Sequence, residues 1–414
     1  MIIKRVLLDI SSFFIYKRFI TALLLSISFL IQCEPGTPSS HAIIQEQLAA
    51  FETSPSEVRK KYEAAENLAV EWLMNNFNDE GYFTYVYDPE ENNYPKSNNM
   101  IRQLMASRVL AELSQNDPAL CSLHERNLTY IFTHWYMEFL GHGCIYFNNS
   151  SKLGSMAMAL RTLTVSPLFE DYSAYAQKFA ETILYLQNPN GSFKANLIEP
   201  NRAFDPEYSL KFYSGEAILS LLEYFEKTGK TEILDAAVKS QEYYLDQYVT
   251  HLEHNYYPAY VPWHTMSLSK LYKTTGEKKY ADAIFILNDE VLKLQNQSGK
   301  PDMKYLGRFY NPDYKDFGTP HSSSDGIYTE GLAYAYEIAG MTEDKEHIET
   351  YKTALILAVD NLMRLQFSEE ESLMYEYPER VSGGIRYNAD DTRIRIDTTQ
   401  HTADAITKVL EVLF

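Results

Sequence analysis

From about residue 55 onward, apolar residues return every three or four positions in one segment after another, a helical period that constrains the fold more than any other feature. "SEVRKKYEAAENLAVEWLMNNF" and "NMIRQLMASRVLAEL" show it first; "YSGEAILSLLEYFEKTG", "GIYTEGLAYAYEIAG" and "TTQHTADAITKVLEVL" repeat it. About twelve such helices are predicted, with no long strand-rich block. They come in pairs, one long and charged, the other shorter and rich in Ala, Ser and Gly. The shorter member follows a polar, aromatic loop. "DEGYFTY", "GHGCIYF", "PNGSFKA" and "SGGIRYN" each place glycine before a short aromatic or aliphatic step, as a tight turn requires.

One helical hairpin every roughly 50 to 60 residues predicts a repeat array. Small side chains let inner helices crowd around an axis. The pattern therefore predicts an all-α (α/α)6 toroid of about six hairpins with short β-turn segments, over residues 55–414. An open α-solenoid is the alternative, and it would want a polar terminal cap. The chain instead ends in "VLEVLF", which favours closure against the first pair.

Ahead of this domain, Lys4, Arg5, Lys17 and Arg18 precede "FITALLLSISFLIQC", an apolar run short for a membrane span and suited to a secretory signal. Residues 1–33 read as a signal peptide or lipoprotein signal, with Cys33 as the lipidation site and 34–54 as a tether. Leu30 and Ile31 fit a bacterial lipobox; Gln32 departs from it, a small residue being usual before the lipidated cysteine. The expected location is the cell envelope, lipid-anchored or periplasmic, with membrane contact only through this N-terminal segment.

A formal net charge of −19 argues against nucleic acid as a partner, since a basic footprint is missing. Three cysteines with no CxxC or CxxH pair predict neither a disulfide framework nor a metal site. No nucleotide, dinucleotide or serine-hydrolase motif is found, and no cofactor is expected. The 33 tyrosines suit a lined cleft or wet interfaces.

In a closed toroid the starts of the inner helices converge on one funnel. They carry Asn99, Arg102 and Gln103; Lys152; Tyr213 and Glu216; Trp263 and His264; Tyr328 and Glu330; and Arg395, Asp397, Gln400 and His401. Tyr213, Glu216, Glu330, Asp397 and His401 are the catalytic candidates, the others substrate-binding. Capping offers a plainer reading of Asp397 and Ser214, and the helix dipole one of Glu216 and Glu330 in a first turn. Arg102, among apolar residues, needs an anionic partner: a substrate carboxylate, Glu216 or Glu330.

"NPNGSF", "FYSGEAILSLLEYFEKTGKTEILDAA" and "IRIDTTQH" resemble (α/α)6-barrel carbohydrate-active enzymes, nearest in motif to the C-terminal domain of glucuronyl C5-epimerases. The resemblance implies acid and base groups at a uronate C5, with Tyr213, Arg395, Asp397 and His401 at matching positions; Glu216 departs from it. The expected function is that of an exported glycoside hydrolase, lyase or epimerase using general acid/base catalysis on a saccharide, possibly uronate-containing. A non-enzymatic glycan- or peptide-binding surface lipoprotein is the alternative, and a toroid enzyme on another substrate a third reading.

Overall fold

The structure, a computed structural model, describes residues 40–414 apart from 202, 301, 314–316, 318 and 320. Cys33 and the expected signal lie outside the described residues. The chain divides into two units, Met1–Gln45 and Glu46–Phe414. In the stretch expected to be a tether, Ser40–Thr53 is helical (α1). Its sequence is rich in helix formers, and Phe51 is buried with its ring 5.2 Å from that of Phe414. No described helix is long and apolar enough to cross a membrane.

Twelve helices then alternate between two rings. The outer ring is α2 (Pro55–Asn75), α4 (Pro118–His134), α6 (Phe169–Leu186), α8 (Thr231–Leu245), α10 (Lys278–Leu292) and α12 (Lys345–Leu365). The inner ring is α3 (Met100–Leu113), α5 (Leu153–Val165), α7 (Pro206–Thr228), α9 (Val261–Thr275), α11 (Ser322–Met341) and α13 (Ile396–Leu413). Each inner helix packs on the next, and α13 returns to pack on α3 and α2. The array is closed. The open solenoid is thereby excluded.

The small residues act as the pattern predicts. A Cβ on Gly215 of α7 would stand 2.5 Å from Trp263 Cβ on α9, and one on Gly326 of α11 would stand 2.8 Å from His401 Cβ on α13. Close-packed interiors leave no slack for such atoms. Glycine in mid-helix costs about 1 kcal/mol against alanine, offset here by the approach it permits.

Neighbouring units are tied by a recurrent bond. Gln187, Gln295 and Gln366, each just past an outer helix, donate through Nε2 to carbonyls of Ala236, Ala354 and Ala65 on the next outer helix, at 2.7, 2.9 and 2.9 Å. The last of these joins the end of the chain to its first outer helix. Beside it, Gly383 takes φ 83°, and a Cβ there would fall 2.0 Å from Leu68 O. Only glycine fits that turn.

A three-stranded sheet completes the closure. Val86–Tyr87 pairs antiparallel with Asp391–Arg395, which pairs with Arg386–Asn388. Val86 lies opposite Arg395, and Ile396 N donates to Tyr85 O at 3.1 Å. The loop entering the first inner helix thus fixes the strand entering the last one. "GHGC" forms strand rather than a ligand cluster: His142 stacks on Tyr185 and Cys144 is buried.

Candidate active site

The starts of five inner helices open into one cavity of about 570 Å3, within the range of small-molecule sites. Asn99 and Arg102 of α3, Tyr213 and Glu216 of α7, Trp263 of α9, Tyr328 of α11, and Asp397 and His401 of α13 line it. Eight of the predicted residues therefore meet, although almost three hundred positions separate Asn99 from Asp397.

Arg395 is the residue before α13, and Asp397 the second residue inside it. The N-cap expected at Asp397 is taken by Arg395, because the Asp397 carboxylate is claimed by side chains instead. Arg102 Nε approaches its Oδ2 at 2.8 Å. Arg395 grips both oxygens, Nε to Oδ1 at 2.7 Å and Nη2 to Oδ2 at 2.6 Å, a fork-like geometry. Burial would raise the Asp397 pKa, but the Arg102 and Arg395 guanidiniums prevail and hold it at about 2. Arg102 also donates to Tyr85 Oη. Its partner is thus neither Glu216 nor Glu330.

Glu216 behaves in the opposite way. It lies well inside α7, not in a first turn, because the helix begins earlier at Asp205, whose side chain accepts from Tyr208 N, with Pro206 at the first position. Ser214, read as a cap, is likewise internal: its Oγ donates to Leu210 O at 2.6 Å. Glu216 is 2% exposed and its Oε2 lacks a hydrogen-bond partner. Burial pushes its carboxyl up to about 8, against the lowering pull of Arg161 and Lys152. At neutral pH it holds its proton.

Two neutral imidazoles complete the polar wall. His401 is pushed down to about 4 by burial, Asp397 opposing, and its Nδ1 has no partner. His321, which caps α11 and accepts from Ser324 N through Nδ1, is lowered by burial as well. The facing wall is aromatic: Tyr208, Phe212, Tyr257 and Phe317, with Tyr257 and Phe317 edge to face at 5.7 Å. Sequence reasoning missed Tyr257, Phe317 and His321, which precede inner helices, and Tyr208 and Phe212, which lie in the first turns of an α7 that begins earlier than the apolar pattern suggests. The run "HSSSDG", a Ser-rich helix start after His321, was the available signal for the histidine.

Other predicted residues fall elsewhere. Gln103 clamps the turn before α3, donating to Phe83 O at 2.6 Å and accepting from Phe83 N at 3.1 Å. His264 is buried behind the wall, where Ser214 Oγ and Gln241 Nε2 each lie 3.1 Å from its ring nitrogens. Burial keeps it neutral, its pKa lowered to about 3. Glu330 and Gln400 lie below the floor with Arg108, Arg161 and Asp404 around a void of about 10 Å3. Glu330 is the ninth residue of α11, not in its first turn, and burial and Asp404 raise its pKa. Lys152 lines a neighbouring cavity. Among the described residues no group of three or more His, Cys, Asp or Glu could hold a metal ion.

A protein-family model for the β-L-arabinofuranosidase GH127 catalytic domain matches residues 172–353. That span contains Tyr213, Glu216, Trp263 and Tyr328, and ends before Asp397 and His401. Three solved structures share the fold. D-mannose isomerase is 12% identical, with a TM-score of 0.62 over 85% of this chain and 97% of its own. Unsaturated glucuronyl hydrolase from Bacillus sp. GL1 is 13% identical, with a TM-score of 0.61 over 84% and 96%. The GH76A α-1,6-mannanase from Salegentibacter sp. HEL1_6 is 13% identical, with a TM-score of 0.59 over 85% and 99%. Curated proteins compared by sequence returned no match. The family match supports a carbohydrate-active enzyme, and the solved structures show the toroid. The finer likeness to glucuronyl C5-epimerases finds no support in these matches.

Proposed function

We propose that this protein is a glycoside hydrolase that binds a saccharide in the 570 Å3 cavity and cleaves it with Glu216 as the general acid. The observation that carries this reading is the contrast between two carboxyls lining one cavity, Glu216 buried with Oε2 unpartnered and Asp397 gripped by two guanidiniums. Glu216 keeps a proton up to about pH 8, whereas Asp397 is ionised above about pH 2. Environments that push two carboxyls apart separate the acid from the anion. The shared toroid hosts both an isomerase and hydrolases, so the site and not the fold distinguishes the reactions.

In this reading Glu216 transfers its proton to the glycosidic oxygen as the bond to the anomeric carbon lengthens. The fixed Asp397 carboxylate faces the positive charge that develops on the ring. Water attacks the anomeric carbon, and a neutral imidazole, His401 or His321, takes the proton that water loses. The aromatic wall offers faces for the sugar's C–H surface. Arg102, whose side chain is 33% exposed, is a cation in the cavity that suits an acidic sugar, so uronates belong among the trial substrates.

The test is turnover of p-nitrophenyl β-L-arabinofuranoside, α-D-mannoside and β-D-glucuronide and of the matching disaccharides. On the disaccharides, whose leaving oxygen needs a proton, Glu216→Gln should lower kcat by about 10²-fold or more while the variant stays folded. Equal turnover by Glu216→Gln would sink the assignment. Saccharide binding with no turnover would return the non-enzymatic binding protein.

The same proposal includes export. The basic residues and apolar run of segment 1–33 support it, with Cys33 as the lipid attachment point. Labelled palmitate should enter the wild-type protein and not Cys33→Ser.

A further inference from the structure

A second cavity adjoins the first across Asn99 and Ile101, which line both. It measures about 180 Å3, a space on the scale of one sugar ring. Asn98 and Asn99 before α3, Phe147 and Asn148 in the turn after the strand His142–Ile145, and Lys152 and Ser155 at the head of α5 wall it.

This lining is specific in kind. The Asn98 oxygen accepts from Asn99 N and Gln103, the Asn99 oxygen caps α3, and the Ser155 hydroxyl donates to Lys152 O. The amide nitrogens of Asn98 and Asn99, the Asn148 amide and the Lys152 ammonium are the groups for sugar hydroxyls, and Phe147 offers an apolar face. Among the described residues no carboxylate lines the cavity, which argues against a bound cation. One ammonium among amides makes a poor phosphate site, where several cations or bare backbone N–H groups are the rule.

The turn that presents Asn148 is built for it. Phe147 and Ser150 exchange backbone hydrogen bonds at 3.0 and 3.1 Å around two residues of positive φ, Asn148 at 50° and Asn149 at 57°. Asparagine tolerates that conformation, and glycine does so equally.

The head of α5 touches both the small cavity and the proton donor. Lys152 and Ser155 line the small cavity, and a Cβ on Gly154 between them would stand 2.5 Å from Glu216 Oε2. A sugar in the small cavity therefore lies on the side of the acid, where the departing oxygen belongs.

We propose that the small cavity is the subsite for the leaving sugar, so that the substrate is a disaccharide or longer, read there by Asn148 and Lys152. This rests on Glu216 being the acid. Asn148→Gly keeps the turn and deletes the amide. Its ratio of kcat/KM for a disaccharide to that for the p-nitrophenyl glycoside of the same sugar should fall about tenfold, the worth of one to two hydrogen bonds. An unchanged ratio overturns the subsite.

A second measurement does not depend on turnover. Calorimetry on Glu216→Gln should find the disaccharides bound about tenfold more tightly than the matching monosaccharides, an advantage that the added Asn148→Gly change abolishes. Equal affinities, or no binding of either, overturn the subsite. If the wild-type protein hydrolyses none of the panel, the hydrolase reading fails while calorimetry still decides the small cavity.

Discussion

Arg102 on the first inner helix reaches Asp397 on the last, with Nε and Oδ2 2.8 Å apart. The contact is at once part of the ring closure and part of the cavity wall. Because Arg395 holds the same carboxylate, removing it leaves two guanidiniums facing each other without an anion. Asp397→Ala should cost about 3 kcal/mol in denaturant unfolding and abolish measurable turnover. The conservative Asp397→Asn should recover part of the stability and none of the activity. An active Asp397→Asn would remove the carboxylate from the mechanism.

The cavity's charge states set the pH response. Glu216 must be protonated to act and is held near 8, and His401 must be neutral and is held near 4. The profile of kcat/KM against pH should be bell-shaped, with limbs at about these two values. In His401→Gln the acid limb should move. A profile flat from pH 4 to 9 would exclude both assignments.

Stability should depend on pH through the same groups, with signs that differ. Asp397 is depressed from 3.8 to about 2, so its contribution is complete above 3.8 and lost as pH falls through 2, an amount of about 2 kcal/mol. Glu216 is raised from 4.5 to about 8, so stability falls as pH rises across that interval, where the unfolded chain releases the proton that the folded one keeps. Chemical denaturation of Glu216→Gln should show a smaller loss of stability between these pH values than wild type.

Gly154 on α5 faces the acid directly. A Cβ there would sit 2.5 Å from Glu216 Oε2 and 2.6 Å from Tyr213 Cδ1. Gly154→Ala should cost about 1–3 kcal/mol by overpacking and lower kcat at least tenfold, an effect of about 1.4 kcal/mol on the barrier. Thermal melts alongside rates will separate the two, and a fully active Gly154→Ala would mean that Glu216 is free to move.

Below the floor, Arg161 and Glu223 pair through two bonds of 2.8 and 2.9 Å, both side chains being nearly sealed from solvent. Glu223→Ala should destabilise the fold by about 3–5 kcal/mol, since it strands a buried guanidinium. Arg161 also lies 5.9 Å from the Trp263 ring, so Trp263 should be held less firmly in the cavity lining as well. Tm and the KM for a saccharide report the two effects.

How much of this was legible in the chain varies with the kind of force involved. Helical period, small inner faces and glycine turns are local properties, written residue by residue, and they determined the toroid and the convergence of Asn99, Arg102, Tyr213, Glu216, Trp263, Tyr328, Asp397 and His401. Helix starts were less legible: a continuous α7 carries Ser214 and Glu216 inward because Asp205 and Pro206 begin it earlier than the apolar pattern suggests. Which polar residue faces the cavity was not written locally at all. Gln103, His264, Glu330 and Gln400 have the same residue types as the cavity's lining. The angular position of each on its helix, set by packing against both neighbours, turned them into clamps or floor. Only the closed ring could decide that Arg102 and Arg395 take Asp397 while Glu216 is left with a proton. Charge states follow from distances between helices far apart in sequence, and from burial that no single helix creates.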